Sequence, residues 1–419
     1  MPALFLGLDI GTSGARAVII DRAGVQMAEA KAAMADFGAD PKAPATWWGA
    51  ADHALRASLA QVAPEDVVAL AVDGTSGSVL AVDADEAPLG PTRMYNDPCT
   101  DAAILSAIDA AAPAGSPARG ASSALARALE LAAEPGTHAI RHQADWIAWH
   151  LSGRAVSDAN NALKTGYDGT AARWPDWIAY AGLDPAMLPP VLAPGAIVGP
   201  VTAPAARDFG LSPETLVVAG TTDGCASFIA TGADQPGDGV TALGTTMTIK
   251  LLSDRPIFAP EYGIYSHRIL GHWLAGGASN TGGNVLLRFF DADALATLSQ
   301  RIDAETKSGL DYYPLAKPGE RFPINDPGLA PRLAPRPDDD AAFLHGLFEG
   351  IAGIEALAYQ RLAELGAPRL GSLRSVGGGA QNPVWTRLRE RRLGVPMRSA
   401  RSTEAAYGSA RLAMRGMGT

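Results

Sequence analysis

The chain has 419 residues, more than one ordinary core accommodates, and two domains are the natural expectation. With 47% hydrophobic and 19% charged residues it is globular rather than disordered. Its net charge of −10 is spread without long runs, so no cluster of Lys and Arg marks a nucleic-acid surface; a phosphorylated ligand stays open, because a local nest of backbone amides binds phosphate whatever the global charge.

The two cysteines, Cys99 and Cys225, have neither metal-ligand spacing nor the arrangement of a disulfide framework. No apolar stretch is read as long enough to span a membrane, and no basic region precedes the first apolar run. A reduced, cytoplasmic setting without a membrane partner is expected.

From Leu4 the chain reads "LFLGLDIGTSGARAVIIDRAG". An apolar run ends in Asp9, a turn follows at Gly11-Thr12-Ser13-Gly14, and a second apolar run spans Ala15 to Ile20. Gly11 and Gly14 permit close approach of another group, and the hydroxyls of Thr12 and Ser13 add donors, so this hairpin turn can hold a phosphate. Asp9 at its edge repels a phosphate unless a cation lies between. Mg²⁺, which keeps several waters and borrows one or two carboxylates, suits that place. The alternative is an aspartate that only forms its own turn. The pattern returns in "VVALAVDGTSGSVLAVDADEAPLG" from Val67, with Asp73-Gly74-Thr75-Ser76-Gly77 between apolar runs. Asp101 to Leu131 is Ala-rich and reads as one or two surface helices with a loop at Pro113 to Gly120. His142 to Gly153, "HQADWIAWHLSG", reads as an amphipathic helix closed by glycine.

Leu183 to Pro213 is rich in Pro and Ala and reads as irregular connection. In "VVAGTTDGCASFIATGA" a strand ends at Ala219, Gly220-Thr221-Thr222 turns the chain, and Asp223 opens a helix. An aspartate there commonly caps free backbone N–H groups; it can also be the general base for an alcohol nucleophile. "VTALGTTMTIKLLSD" from Val240 is the third strand–turn–strand copy, with Gly244-Thr245-Thr246 at the turn. First and third copies lie about half a chain apart, which suggests a duplicated architecture whose two turns grip the phosphates of one nucleotide. Lys317 to Pro337 reads as an exposed excursion and Phe343 to Leu365 as a long buried helix. In "LRSVGGGAQNPVWTRLRERRLGVPM" a short strand meets Gly377-Gly378-Gly379, and Asn382 leads into a helix. The glycines let a flat group lie against the backbone, and Asn382 caps the helix or touches a ligand. Strands alternating with helices make an α/β class.

Four stretches, "LDIGTSGARAVIIDRAG", "AGTTDG", "ALGTTMTIK" and "GGGAQNPVW", occur in an order that resembles the FGGY carbohydrate kinases, of the wider actin, hexokinase and Hsp70 superfamily. The resemblance covers nearly the whole chain. "AVDGTSGSVL", "QADWIAWHLSG", "NALKTGYD", "YSHRILGHWLAGGASNTGG" and "SGLDYYPL" look closest to the short, xylulose-kinase-like D-ribulose kinase branch of cyanobacteria and plants. The resemblance implies two lobes, residues 1–228 and 229–419, each on a ribonuclease-H-like sheet, with sugar and nucleotide in a central cleft. It also implies ATP, Mg²⁺ and a ketopentose or polyol, in a monomer or homodimer.

Residue by residue, the resemblance makes Asp9 the metal- and phosphate-proximal aspartate on the substrate side, with Gly11, Thr12 and Ser13 as its phosphate turn. It makes Asp223 the catalytic base beside the sugar and Gly244, Thr245 and Thr246 the second phosphate turn. Gly378, Gly379 and Asn382 fall on the adenine side, and Ser76 near the sugar. One departure stands out. The family's Trp-x-Asp-x-Arg segment is here "MYNDPCT", Met94 to Thr100. Tyr95 replaces the tryptophan and Cys99 the arginine, while Asp97 is kept as a possible sugar contact. The expected activity is phosphorylation of D-ribulose to D-ribulose 5-phosphate; the alternatives are a xylulose, ribitol or glycerol kinase, or an inactive sugar-sensing homologue.

Overall fold

Seven consecutive buried residues, Leu4–Ile10, form strand β1, and a strand buried on both faces takes the middle of a sheet. In the computed structural model, which describes residues 3–418, β1 lies between β2 (Gly14–Ile20), antiparallel to it, and β4 (Val67–Gly74), parallel to it. β3 (Gln26–Ala33), β5 (Ile197–Pro200) and β6 (Leu216–Thr222) complete a sheet ordered β5-β6-β4-β1-β2-β3. The period-two alternation of a strand sorts its side chains between two faces. Leu4, Leu6, Leu8 and Ile10 join a core with Trp47, Ala50, Ala54 and Leu55 of helix α1 (Pro44–Leu59). Phe5 points the other way, into a core with Ala406 and Ala410 of the C-terminal helix Ala405–Gly416. That helix lies so close that a Cβ on Gly7 would stand 1.9 Å from the Ala406 carbonyl oxygen. Gly7 is therefore required by backbone approach.

Residues up to 230, 267–271 and those from 402 on form one unit by their contacts; 231–266 and 272–401 form the other. The expected boundary lay at 228/229 and kept the C-terminal helix with the second lobe; by contacts, that helix is part of the first unit.

The second copy of the strand–turn–strand pattern is not a hairpin. β4 already has β1 and β6 on its two edges, so the chain after it leaves the sheet. Val79–Val82 instead pairs with Pro88–Arg93 and Ala139–His142 in a separate three-stranded sheet. Helix α2 (Ala124–Ala132) packs beneath it, buried at Leu125, Ala128 and Leu131, and is not the surface helix expected there. Helix α3 (Gln143–Ser152) ends at Gly153, whose left-handed φ of 64° stops the helix as its sequence predicts. Leu183 to Pro213 is less irregular than expected: it contains β5 and the helix Ala203–Phe209. Helix α4 (Asp223–Ala230) follows β6 directly.

In the second unit, β7 (Asp238–Leu243) and β8 (Met247–Ser253) form the hairpin read in the sequence. β9 (His272–Ser279) adds antiparallel to β8, while β10 (Ser372–Val376) and β11 (Met397–Arg398) add in parallel beyond β7. The resulting order β9-β8-β7-β10-β11 repeats β3-β2-β1-β4-β6 of the first unit in direction and sequence. Helix α5 (Asp340–Glu364) is long and apolar enough to cross a membrane, which corrects the expectation that no stretch reaches that length. Its most apolar window is 72% buried, with Phe343, Leu347, Ile351 and Ile354 in the core, so burial within the protein accounts for its composition. Helix α6 (Pro383–Leu393) stacks Trp385 flat on Phe348. The Lys317 to Pro337 excursion is not wholly exposed, since Glu320 and Phe322 are buried.

Candidate active site

Register brings the acidic residues together. In the parallel ladders Asp9 stands abreast of Asp73, and Asp73 abreast of Thr221, so three strands end side by side. Asp223 follows two residues later as the first residue of α4, half-buried, with its Oδ1 accepting from the Gly224 N–H at 2.6 Å. Asp73 is fully buried and Asp9 nearly so. The Ser409 hydroxyl of the C-terminal helix donates to Asp73 Oδ2 at 2.5 Å, while Oδ1 receives no donor among the described residues. Arg16 lies 3.5 Å from Asp9.

Burial, and next the Asp9 charge, push the Asp73 carboxyl well above the ordinary carboxylate range. Burial also raises Asp9, with the Asp223 charge adding to it and the bond from Asp73 and Arg16 opposing it. Two abutting buried carboxyls, with the Oδ1 of Asp73 lacking a donor among the described residues, suit a divalent cation better than they suit each other. No group of three or more His, Cys, Asp or Glu gathers to hold a metal among the described residues. The donor set therefore fits a cation that keeps most of its own waters, as Mg²⁺ does. Asp73 went unassigned in the sequence reading; the signal was an aspartate at the same place in two strands that proved to be neighbours.

The turn beyond β1 is open. Thr12 and Ser13 are exposed. Gly11 donates to the Gly14 carbonyl at 2.9 Å, and the Ser13 carbonyl accepts from Met34. A Cβ on Gly11 would meet only the Gly14 oxygen, at 3.4 Å. The protein itself thus leaves room for a side chain there.

After β4, Thr75 is held from both ends by Gln143: its N–H and its hydroxyl both donate to Oε1, at 3.1 and 2.7 Å. Ser78 joins at 2.6 Å from the Thr75 hydroxyl and accepts the Tyr95 N–H at 3.1 Å. Between them Ser76 is half-buried and its hydroxyl has no partner among the described residues. Gln143, fully buried at the start of α3, was read only as part of a helix; its own Nε2 is also without a partner. Asp97 is engaged elsewhere. Lys42 Nζ donates to both its oxygens at 2.7 and 2.8 Å, and the Met94 N–H caps it at 2.9 Å. Burial raises its carboxyl, but those bonds outweigh burial and hold it below the ordinary range. Cys99 is buried and free.

In the second unit, Gly244 and Thr245 are exposed at the β7–β8 turn, with Thr246 half-buried beside them. Their carbonyls face inward: Gly244 accepts from Gly283 at 2.8 Å and Thr245 from Asn284 at 3.0 Å. Beside the turn lies a cavity of about 630 Å³, walled by Leu286, Leu295 and Trp385 and floored by Gly378 and Gly379. A Cβ on Gly378 would meet nothing within 4 Å, whereas one on Gly379 would stand 2.6 Å from the Trp385 ring and 2.8 Å from Leu243. Asn382 borders the cavity, but its amide is committed: Oδ1 caps α6 by accepting the Trp385 N–H at 3.0 Å, and Nδ2 donates to Ser299 at 2.7 Å. The helix-cap alternative describes Asn382 as it stands.

The structure thus has two repeated sheets, one ending in carboxylates and the other in an exposed turn beside an apolar, glycine-floored cavity. The N-terminal domain of the FGGY family of carbohydrate kinases matches residues 4–111 and 133–230, and its C-terminal domain matches residues 239–417. The chain belongs to this family and is a sugar phosphotransferase. It is 26% identical over 438 residues to the xylulose kinase of Streptomyces rubiginosus, covering 97% of this chain and 86% of that one. It is 27% identical over 433 residues to the xylulose kinase of Streptomyces coelicolor, with the same coverage of 97% and 86%. Among solved structures, the xylulose kinase from Rhodospirillum rubrum superposes with a TM-score of 0.83 at 24% identity, covering 99% of this chain and 90% of that one.

Proposed function

We propose that the protein transfers the γ-phosphoryl group of ATP to the terminal hydroxyl of a ketopentose, with D-ribulose as the preferred acceptor. The observation that carries this reading is the register that sets Asp9 and Asp73 abreast, with Asp223 two residues past Thr221. Asp223 accepts the proton of the attacking hydroxyl. The partnerless hydroxyl of Ser76 donates to the sugar. Asp97 reaches the sugar only by releasing Lys42. The cavity beside Gly378 takes the adenine ring, with Asn382 contributing shape more than hydrogen bonds. The Gly11–Ser13 and Gly244–Thr246 turns supply amides and hydroxyls to the phosphates. Asp9 would hold Mg²⁺, which when bound neutralises charge on the phosphoryl oxygens. We assign the enzyme to the cytoplasm as a monomer or homodimer.

Replacement of the expected arginine by Cys99 removes a sugar contact and favours a small acceptor held by few polar groups. D-xylulose is the second reading, favoured by the alignment of a protein called xylulose kinase with 97% of the chain. The test is coupled ADP release with D-ribulose, D-xylulose, ribitol and glycerol at equal concentration. The highest kcat/KM with D-ribulose is expected. A higher value with D-xylulose replaces the first reading by the second, and no sugar-dependent ADP with any acceptor removes the kinase reading.

A further inference from the structure

A second large cavity, about 720 Å³, lies in the second unit against α5 and α6 and shares no lining residue with the glycine-floored one. Its charges are unbalanced. Arg332 is paired with Asp311 at 2.8 Å and Arg391 with Glu349 at 2.8 Å, so these four cancel. Lys307 and Arg392 also line it, are exposed, and have no ion-pair or hydrogen-bond partner among the described residues. Two free cations in one hollow contrast with a chain whose net charge is −10.

The glycines of α5 supply an independent observation. A glycine inside a helix weakens it relative to alanine and calls for a reason. Gly346 has one, since a Cβ there would stand 2.7 Å from Leu310 and Tyr312; Gly350 has one in Pro314, at 2.8 Å. Gly353 has none inside the protein: its Cβ would meet only Arg392 Nη2, at 4.0 Å. Bare helix backbone therefore floors the cavity directly beneath a guanidinium that no protein group neutralises. Ile354 and Leu357 add an apolar wall.

We propose that this cavity binds a small organic molecule carrying two phosphate groups, its charge shared by Lys307 and Arg392 and its carbon skeleton lying over Gly353. A guanidinium and an ammonium lining one hollow can recognise phosphate oxygens, and the missing Cβ leaves the depth for a ligand.

The test uses the full chain, saturated with a non-hydrolysable ATP analogue so that the nucleotide pocket is filled. Inorganic pyrophosphate and a linear pentitol 1,5-bisphosphate serve as probes in isothermal titration calorimetry. Saturable binding of at least one probe is expected, weakening as salt rises. Lys307→Gln combined with Arg392→Gln removes the charge, and Gly353→Leu fills the floor with a good helix former. Each variant is expected to weaken binding at least tenfold while melting as sharply as the wild type. Wild-type protein that binds neither probe, or wild-type affinity in either variant, overturns the proposal.

Discussion

The two sheets share one strand order and differ in what their strands end with. Where Asp9 and Asp73 stand abreast one residue before the ends of β1 and β4, the equivalent β7 and β10 set Ala242 beside Val376, and Gly244 and Gly377 follow these strands. One end is acidic and buried, supplied with donors by Ser409 and Arg16. The other is apolar and short of side chains, beside a cavity with room for a flat ring. The same backbone thus carries paired carboxyls in one copy and an apolar hollow in the other. What separates them is the pair of side chains that register sets side by side near the strand ends, Asp9 with Asp73 in one sheet and Ala242 with Val376 in the other.

The comparison breaks most visibly at Asp223. If the acidic end performs general-base chemistry, Asp223→Asn keeps shape and most hydrogen bonds but loses the proton acceptor, and kcat falls by about 10²–10⁴. Asparagine caps a helix as well as aspartate does, so a purely structural Asp223 predicts near-wild-type kcat and melting. Steady-state kinetics at saturating ATP and sugar separate the two.

The glycine end is sharpened by a pair of substitutions. Gly378→Ala places a Cβ in open space; it is expected to raise KM for ATP several-fold with the melting temperature unchanged. Gly379→Ala drives a Cβ against Trp385 and Leu243, and is expected to lower stability by roughly 1–3 kcal/mol through overpacking. If Gly378→Ala leaves ATP kinetics untouched, the cavity is not the nucleotide site. For Gly11 and Gly244 the same logic replaces a backbone argument: neither has a left-handed φ nor a close neighbour, so any intolerance there reports a ligand.

Asp73 tests the electrostatics of the acidic end through pH. Its folded carboxyl is raised by burial and by Asp9, so the protonated form is the one folding favours. The associated stability is present at low pH and is lost as pH rises through the folded value. In chelator, the melting temperature is expected to fall with rising pH more steeply in wild type than in Asp73→Asn, and the variant should melt higher at pH 8. Each kcal/mol gained corresponds to roughly 2–4 °C in a unit of this size. Added Mg²⁺ should narrow the difference. Equal slopes would mean that the pair of carboxyls carries no such strain.

Asp97→Ala is the smallest effect. Loss of a largely exposed pair with Lys42 is expected to cost about 0.2–1 kcal/mol. A rise in KM for the ketopentose beyond that, with KM for ATP constant, would return Asp97 to the sugar site; a change in neither leaves it a turn former.

The sequence by itself determined the α/β class, the two hairpins around Gly11 and Gly244, the helix closed by Gly153 and the long buried helix α5. Each rests on a local pattern: alternation, glycine at a turn, or continuous apolar spacing. The family was legible because four motifs keep their order along the chain. Only the tertiary structure decided that the second copy is no hairpin, because an occupied neighbour on each edge of β4 cannot be read from its residues. It alone placed the C-terminal helix, nearly 400 residues from β1, where Ser409 meets Asp73 and Gly7 must lack a side chain. The same holds for Gln143, whose grip on Thr75 spans 68 residues. Local chemistry specifies strands and turns; which strand ends meet is settled by register and by burial shared between distant segments.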